Sequence, residues 1–370
     1  MRRELSSKWQ RRTSSTSYRF MRVSRETGLE VDSLPMLKGG SITRNNDVRI
    51  METAEVNAFD RFGIGPDLVR IHMTAEWPDG TVADEVLGTF LPVAPSRSVR
   101  EGYSLSKVRL YGRLQELLDD KFATPVTVEA GRNAVDAAAD MIRQAGLNVI
   151  ADPSDYKVTN PRYYGIGAHQ ANSETGDTKL DAINDLLSLA GFQAAKTDVM
   201  GNVLLRRYEN LEKRPVVWTF AEGPGAKFES SVEEERDITS IANHVVLRYG
   251  SEDEVIVAEA FDDDPASELS TVSRGRVITK DYEYTDLPPG KTREERQASA
   301  DASAESRLRQ NQAIIHRVNI RHPYVPATVC DAAEFAYPSG RIDGKFEIRV
   351  QRLELKGGCP TRTELRRFIR

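Results

Sequence analysis

The chain has 370 residues, of which 39% are hydrophobic, and its formal net charge is −5. This length exceeds what one hydrophobic core organises, so two or three domains are expected. The weak negative charge argues against a protein that clamps nucleic acid. No apolar run approaches the ~20 residues of a membrane span, so no membrane anchor is expected. Cys330 and Cys359 are the only cysteines, too few for a disulfide framework or a zinc site.

The N-terminal segment is strongly basic, with eight arginine or lysine side chains and two glutamates in the first 26 residues. Leu5 and Trp9 are four residues apart, so a short helix would present both on one face. Two interpretations stay open: a solvated terminal arm, and an arm that docks on an acidic neighbouring subunit. The second interpretation assigns interface roles to Arg2, Arg3, Leu5, Trp9, Arg11 and Arg12.

Residues 18–111 predict β structure. Short runs of alternating apolar and polar residues are separated there by turn residues such as Gly39-Gly40 and Pro78-Asp79-Gly80. Strands of this length and spacing are typical of a barrel or a sandwich. A short helix at 113–120, a stronger helix at 133–145 and a polar loop from 151 to 176 are predicted next.

A helix followed by a β-hairpin is predicted for residues 178–208. Thr178 and Asp181 form a capping-box pattern, apolar residues recur at helical spacing after them, and Gly191 stops the helix. Two short strand-like runs follow, and turn chemistry that includes Gly201 separates them.

Strand signals return after a charged linker at 211–214 and continue towards the C-terminus. Thr292 and Glu295 form a second capping box, which begins an alanine-rich, highly charged helix that runs to about Gln312. The apolar face of this helix is poor, so we expect it to lie on a surface. Residues 362–370 are expected to form a short basic tail.

No group of residues predicts catalysis. His316 and His322 lack the i, i+4 helical spacing of a zinc protease, and no family motif surrounds a pairing of either with Cys330. The acidic runs at 233–235 and 262–264 are poor acid–base pairs, because adjacent strand residues point apart. No enzyme activity, cofactor or metal is therefore expected, and no catalytic, cofactor-binding or metal-binding residue is assigned.

Four stretches of the chain are informative together: residues 37–58, 68–95, 178–208 and 277–355. The third stretch contains AINDLLSLAGF and, after it, DVMGNVL. The order of these stretches resembles that of the tail-tip or baseplate hub proteins of tailed bacteriophages, a family related to the hubs of contractile injection systems. The motifs are structural, and their order along the chain is the specific part of the resemblance.

The resemblance implies an α+β fold, mainly β, in which two β-barrel domains have smaller α+β domains inserted between them. The expected boundaries are residues 1–17 for the basic arm, 18–111 for the first β-barrel domain, 112–176 for a helical and loop connecting domain, 177–214 for a small helix–hairpin domain, and 215–370 for the second β-barrel domain, with a surface helix near 292–312.

The function implied by the resemblance is that of a structural virion protein. A homotrimer would present six barrels and join the sixfold tail tube or distal tail protein ring to a threefold central spike or tail fibre. Such a hub would also meet the tape measure protein and line the channel of genome ejection, through which DNA passes without specific binding. Its expected location is the tail tip of the virion, after assembly in the host cytoplasm.

Two other classes of function stay open, namely a peptidoglycan hydrolase of the tail tip and a carbohydrate-binding β module. A hydrolase would need convergent carboxylates of perturbed pKa, or a Cys/His pair, in a cleft. A binding module would need exposed aromatic side chains on one face. The chain lacks the long C-terminal extension that in many siphophage hubs has the lytic or receptor-binding part, so no lytic activity is expected.

Overall fold

The computed structural model describes residue 9 and residues 15–59, 62–93, 96–100, 103–165, 178–237, 241–250, 254–284, 287–288, 291–311 and 314–369. The chain forms two compact units. The larger unit contains Met1–Ser231 and Ile320–Leu365, and the smaller unit contains Val232–Asn319 and Arg366–Arg370. The chain therefore enters the smaller unit twice.

The larger unit begins with a run of strands: β1 (Ser15–Val23), β2 (Glu30–Ser33), β3 (Leu37–Asn45), β4 (Glu52–Ala58), β5 (Leu68–Glu76), β6 (Val82–Pro92), β7 (Ser96–Arg100) and β8 (Tyr103–Gly112). Side chains of β4 alternate between buried and half-buried, as expected for a strand with one face on a core. The pairings of β3 with β4, β4 with β8 and β5 with β6 are all antiparallel.

Helices fill the middle of the larger unit. The elements in chain order are α1 (Leu114–Asp119), β9 (Val126–Val128), α2 (Ala134–Gln144), β10 (Val149–Ala151), β11 (Arg162–Tyr164), α3 (Lys179–Leu189), β12 (Lys196–Thr197) and β13 (Val203–Leu205). The Asn133 side chain caps α2 by accepting from two backbone N–H groups. Thr178 caps α3 as predicted, and Gly191 follows its end at a φ of +72°. Buried side chains of α1, α2 and α3 share one core.

The larger unit is completed by strands from the second half of the chain: β14 (Val216–Ala221), β20 (Ala332–Tyr337), β21 (Ile342–Glu354) and the first part of β22 (Thr361–Ile369). Within this unit the strand order is β22-β21-β3-β4-β8-β6-β5-β1-β2, and β20 joins β14 to β21. Strands distant in sequence thus share one sheet, because β21 pairs with β3.

The smaller unit consists of β15 (Glu233–Asp237), β16 (His244–Gly250), β17 (Val255–Phe261), α4 (Thr271–Arg274), β18 (Thr279–Tyr284), α5 (Arg293–Asn311) and most of β19 (Ile314–His322). A three-stranded sheet has the order β17-β16-β18. Helix α5 packs on this sheet through a narrow face of Ala300, Ala304 and Leu308. This small-residue face explains why its apolar pattern was weak in the sequence.

The mainly-β α+β class is confirmed, whereas the two separate barrels and the five domain boundaries stay predictions. The expected basic tail at 362–370 is wrong, since β22 covers Thr361–Ile369. Thr361, Thr363 and Leu365 are buried, and Arg362 between them is exposed. The outward charges hid a two-residue period from the sequence analysis. No helix among the described residues is both long and apolar enough to cross a membrane.

Candidate functional site

His316 lies in the smaller unit and is fully buried. Arg367 Nε donates to its Nδ1 at 3.1 Å, and its Nε2 lies 2.6 Å from Glu234 Oε1. Because Nδ1 accepts, the ring proton lies on Nε2 and faces the carboxylate. Burial and the nearby Arg367 charge lower the pKa of His316.

His322 belongs to the larger unit and is also buried. Its Nδ1 lies 2.7 Å from the Pro323 carbonyl oxygen, and its Nε2 lies 2.7 Å from Thr363 Oγ1. A carbonyl oxygen only accepts, so Nδ1 holds the proton and Nε2 accepts from the threonine hydroxyl. Burial lowers the pKa of His322 to about 4. Both ring nitrogens are thus occupied by neutral partners, and the imidazole is uncharged at neutral pH.

The cysteines are not prepared as nucleophiles. Burial is the main cause that raises the pKa of Cys330, and it raises the pKa of Cys359 to about 11. A thiol reacts as its thiolate, so both groups are unreactive at neutral pH. Since His316 and His322 have other partners, neither activates Cys330 in this structure.

Acidic side chains of the described residues do not form a metal site, since no group of three or more His, Cys, Asp or Glu residues could hold an ion there. Asp262 Oδ2 accepts from Ser267 Oγ at 2.7 Å, and Asp264 Oδ1 accepts from the Ala266 N–H at 2.9 Å. These two carboxylates stabilise the turns that follow β17.

A charged cluster around His72, which the sequence analysis did not single out, attaches β2 to β5. His72 Nε2 lies 2.8 Å from Glu30 Oε1, and His72 Nδ1 lies 3.1 Å from Asp84 Oδ2. Arg70 also contacts Glu30, at 3.1 Å, and Arg19 contacts Asp84 at 2.8 Å. Although burial opposes ionisation, hydrogen bonds from His72 and Arg70 lower the pKa of Glu30, and those from Thr74, Arg19 and His72 lower the pKa of Asp84. Beside the backbone pairing with β1, side-chain contacts of the short edge strand β2 are therefore polar rather than apolar.

The turn residues of the hairpin tip at 197–202 fix its backbone conformation. Asp198 Oδ1 accepts from the N–H groups of Met200 and Asn202, both at 2.9 Å. Gly201 has a φ of +87°, and a Cβ there would lie 2.8 Å from Arg113 Cδ. The turn therefore needs a glycine for its backbone conformation and for its close contact with Arg113.

The same tip packs on the first sheet within the larger unit. Thr89 Oγ1 donates to the Val199 carbonyl oxygen at 2.9 Å, and Thr197 Oγ1 donates to Glu52 Oε2 at 3.3 Å. Glu52 also lies 3.3 Å from Arg44, and both side chains are buried. Burial raises the pKa of Glu52 even though Arg44 opposes it. Buried polar contacts thus determine how this tip is oriented on the sheet.

Trp9 is the one residue assigned to the arm interface that the structure describes, and it is only 2% exposed. Its ring packs edge-on against Trp77 and Tyr324, with both centroid distances at 4.9 Å. Trp9 therefore attaches the arm to its own chain, a role that the sequence analysis did not consider. The other five residues assigned to the arm interface lie outside the described residues, and their role stays a prediction: Arg2, Arg3, Leu5, Arg11 and Arg12.

Strand β17 presents a surface that another chain could cover. In the smaller unit it is the terminal strand of the order β17-β16-β18 for the described residues. Its outward face has Val255, Val257, Glu259 and Phe261, and the three apolar residues are exposed to 58%, 43% and 49%. The term β17 edge is used below for these three residues and their strand. Exposed apolar edges favour pairing with another strand.

Comparison with known proteins gives the fold but no sequence family. No protein-family model and no curated protein matches the chain. Among solved structures, the tail protein from Neisseria meningitidis MC58 is similar with a TM-score of 0.64 and 13% identity, over 95% of this chain and 97% of that one. The 43 kDa tail protein of prophage MuSo2 from Shewanella oneidensis is similar with a TM-score of 0.60 and 11% identity, over 95% of this chain and 98% of that one.

A third similar structure is the prophage tail protein gp18 from Listeria monocytogenes EGD-e, with a TM-score of 0.51 and 13% identity, over 94% of each chain. At these identities the likeness shows a shared fold. The expectation that the chain folds like a phage tail protein is therefore confirmed.

Proposed function

We propose that this chain is a structural subunit of a phage tail tip or baseplate hub, and that three copies form a ring. The observation that supports this most is the likeness to two tail proteins over nearly the whole length of both chains. Full-length coverage means that the chain has the complete fold of those proteins and not a single shared module. Function does not follow from fold alone, so the role needs its own test.

The action of such a hub is geometric. Two β-rich regions per chain give six in a trimer, which matches a sixfold tail tube or distal tail ring on one side. The threefold axis matches a central spike or fibre on the other side, and the ring surrounds the channel that the tape measure protein and then the DNA occupy. No catalytic step is part of this role, and its place is the tail tip of the virion.

The β17 edge supports a role in subunit contact. Val257 points outward at the middle of the strand, between Val255 and Phe261. In a closed ring such an edge is covered by the next copy, which removes an aggregation hazard. We therefore place one half of each subunit contact on the β17 edge.

Light scattering and electron cryo-microscopy of the purified protein test the ring. The expected mass is three times that of one chain, and the expected image is a closed ring. Val257→Lys should give monomers, because it places a charge in the contact. Val48→Lys is the matched control, since Val48 is exposed to 49% outside the β17 edge.

A single copy, or six equivalent copies, would exclude the trimeric hub. A Val257→Lys protein that still forms trimers would leave the ring intact and reject the β17 edge as its contact.

A further inference from the structure

A cavity of about 450 Å³ lies in the larger unit. Its walls are the irregular segment at 226–229, the end of β19, and the turn that joins β21 to β22. The Glu229 N–H donates to the Arg321 carbonyl oxygen at 2.8 Å, which holds the first wall to the second. The volume is within the range of pockets that hold small ligands or a few peptide residues.

Four cationic side chains line this cavity: Lys227, Arg321, Lys356 and Arg362. Lys356 pairs with Glu354 at 2.5 Å. Arg362 helps Lys356 to lower the pKa of the Glu354 carboxyl group, whereas Arg321 has no ion-pair partner among the described residues. They lie on neighbouring strands, β19 and β22, and both are exposed. Two like charges that line one cavity repel each other, and a bound anion would remove that repulsion.

The remaining walls of the cavity are apolar, and packing fixes their side chains. Phe228 packs edge-on against Phe335 and Tyr337, with ring centroids 5.0 and 5.4 Å away. The His322 ring is neutral at neutral pH because burial lowers its pKa to about 4, and its centroid lies 4.9 Å from that of Phe220. The aromatic wall therefore offers apolar contact area without adding positive charge at neutral pH.

We propose that this cavity binds an extended acidic segment of a partner protein, with one carboxylate between Arg321 and Arg362. That the partner is an adjoining tail protein rests on the proposed function. Each planar guanidinium group can bind a carboxylate through two parallel hydrogen bonds. A carboxylate therefore suits this arginine pair better than an anion without that planar geometry. An apolar side chain next to that carboxylate would pack on Phe228. Burial lowers the pKa of Lys227, so a nearby carboxylate would also stabilise its charged form.

Nucleic acid fits the cavity less well. Glu229 and Glu354 line the same walls, and a phosphate backbone would bring repeated negative charges against both. A peptide segment can place a single carboxylate between the arginines and an uncharged residue beside each glutamate. The proposal concerns the partner of one subunit and does not depend on how many copies the ring contains.

Titration of the full chain with two labelled pentapeptides tests the proposal at low ionic strength. The probe is acetyl-Ser-Leu-Glu-Phe-Ser-amide, which has a single carboxylate, and its neutral counterpart has Gln in place of the glutamate. The acidic peptide should bind at least about tenfold more tightly than the neutral one, and added salt should weaken it. Arg321→Ala/Arg362→Ala should remove that difference. Arg109→Ala, an exposed arginine away from the cavity, should leave it unchanged.

The proposal is overturned if neither peptide binds, if both bind equally, or if the double variant binds like the wild type. It is equally overturned if inorganic phosphate or a short single-stranded oligonucleotide binds at these arginines in preference to the acidic peptide. Because Arg321 and Arg362 are exposed, their truncation leaves the fold intact, and circular dichroism of the variant confirms this directly.

Discussion

Thr89 Oγ1 donates a hydrogen bond of 2.9 Å to the carbonyl oxygen of Val199. Thr89 Oγ1 also accepts a hydrogen bond from Arg70 Nε at 2.9 Å, so this buried hydroxyl acts as both donor and acceptor. The bond connects β6 of the first sheet to a hairpin tip 110 residues later in the chain. The position of the small helix–hairpin part on the first sheet thus depends on a polar contact.

Thr89→Val should weaken this contact without changing the shape of the side chain. The Val199 carbonyl and the Arg70 guanidinium each lose a partner, which costs about 1–3 kcal/mol for a buried polar group. Hydrogen exchange of the Met200 to Asn202 amides should rise together with a loss of thermal stability. The control is Thr219→Val, because Thr219 is exposed on β14. Equal exchange in both variants would contradict the contact's role.

Gly201→Ala should destabilise the hairpin tip by two separable effects. The backbone φ of +87° costs about 1 kcal/mol for any residue with a Cβ. The new Cβ would also lie 2.8 Å from Arg113 Cδ. Gly146→Ala is the matched control, since Gly146 has a φ of +76° with nothing within 4 Å. Thermal unfolding should show a larger loss of stability for Gly201→Ala than for Gly146→Ala. Equal losses of stability would mean that the tip moves freely away from Arg113.

Stability should fall in mild acid because of His322. Its pKa is about 4 in the folded chain and about 6.5 when unfolded, so the unfolded state binds a proton first. The stabilisation is complete above pH 6.5 and is lost as the pH falls towards 4, by at most about 3 kcal/mol. His322→Phe should flatten the unfolding free energy over this interval, even though it costs stability at neutral pH. Identical pH slopes for variant and wild type would contradict the assignment.

Local signals in the sequence were sufficient for the helices. Thr178 caps α3 by accepting from the Asp181 N–H, although the Asp181 carboxylate accepts from the Thr178 hydroxyl and not from its backbone N–H. The second capping box forms as predicted, since Thr292 Oγ1 accepts from the Glu295 N–H and Glu295 Oε2 accepts from the Thr292 N–H at the start of α5. Capping requires only residues close in sequence, so it can be predicted from sequence. The turn chemistry at Gly201 was also correct, but its contact with Arg113 depends on distant strands.

The charged clusters could not be predicted in this way. Glu30, His72 and Asp84 are separated by 42 and 12 residues. They meet because β1 pairs with both β2 and β5, and β5 pairs with β6. The cationic cavity has the same origin, because Arg321 and Arg362 meet through neighbouring strands. Neither the His72 cluster nor the arginine pair has a spacing that a sequence motif could reveal. Charged residues on the outward face of a strand also weaken the apolar alternation by which strands are recognised, as in β15 and β22.

The basic arm is predicted to bind an adjacent tail subunit and not DNA. Residues 1–17 have five positive charges, which would attract either partner, whereas Arg19, Arg22 and Arg25 pair with carboxylates of their own chain. DNA has to move through the channel of a hub, and tight phosphate contacts would hold it back. A wall that lets DNA pass should be neutral or acidic, which agrees with the net charge of −5. The arm is therefore better placed outside the channel, against a neighbour's carboxylates.

The buried Trp9 determines how this prediction is tested. A deletion that includes Trp9 would also remove its packing on Trp77 and Tyr324, and loss of a buried tryptophan costs about 3–5 kcal/mol. Deleting residues 2–7, or changing Arg2, Arg3, Arg11 and Arg12 to Gln, keeps that packing. Both variants should stay folded by thermal melting yet fail to join the tail in an assembly assay. The Trp9→Ala variant separates the anchoring of the arm from its charge. Complete assembly of either of the first two variants would exclude this role. An arm found against DNA in the channel would exclude it as well.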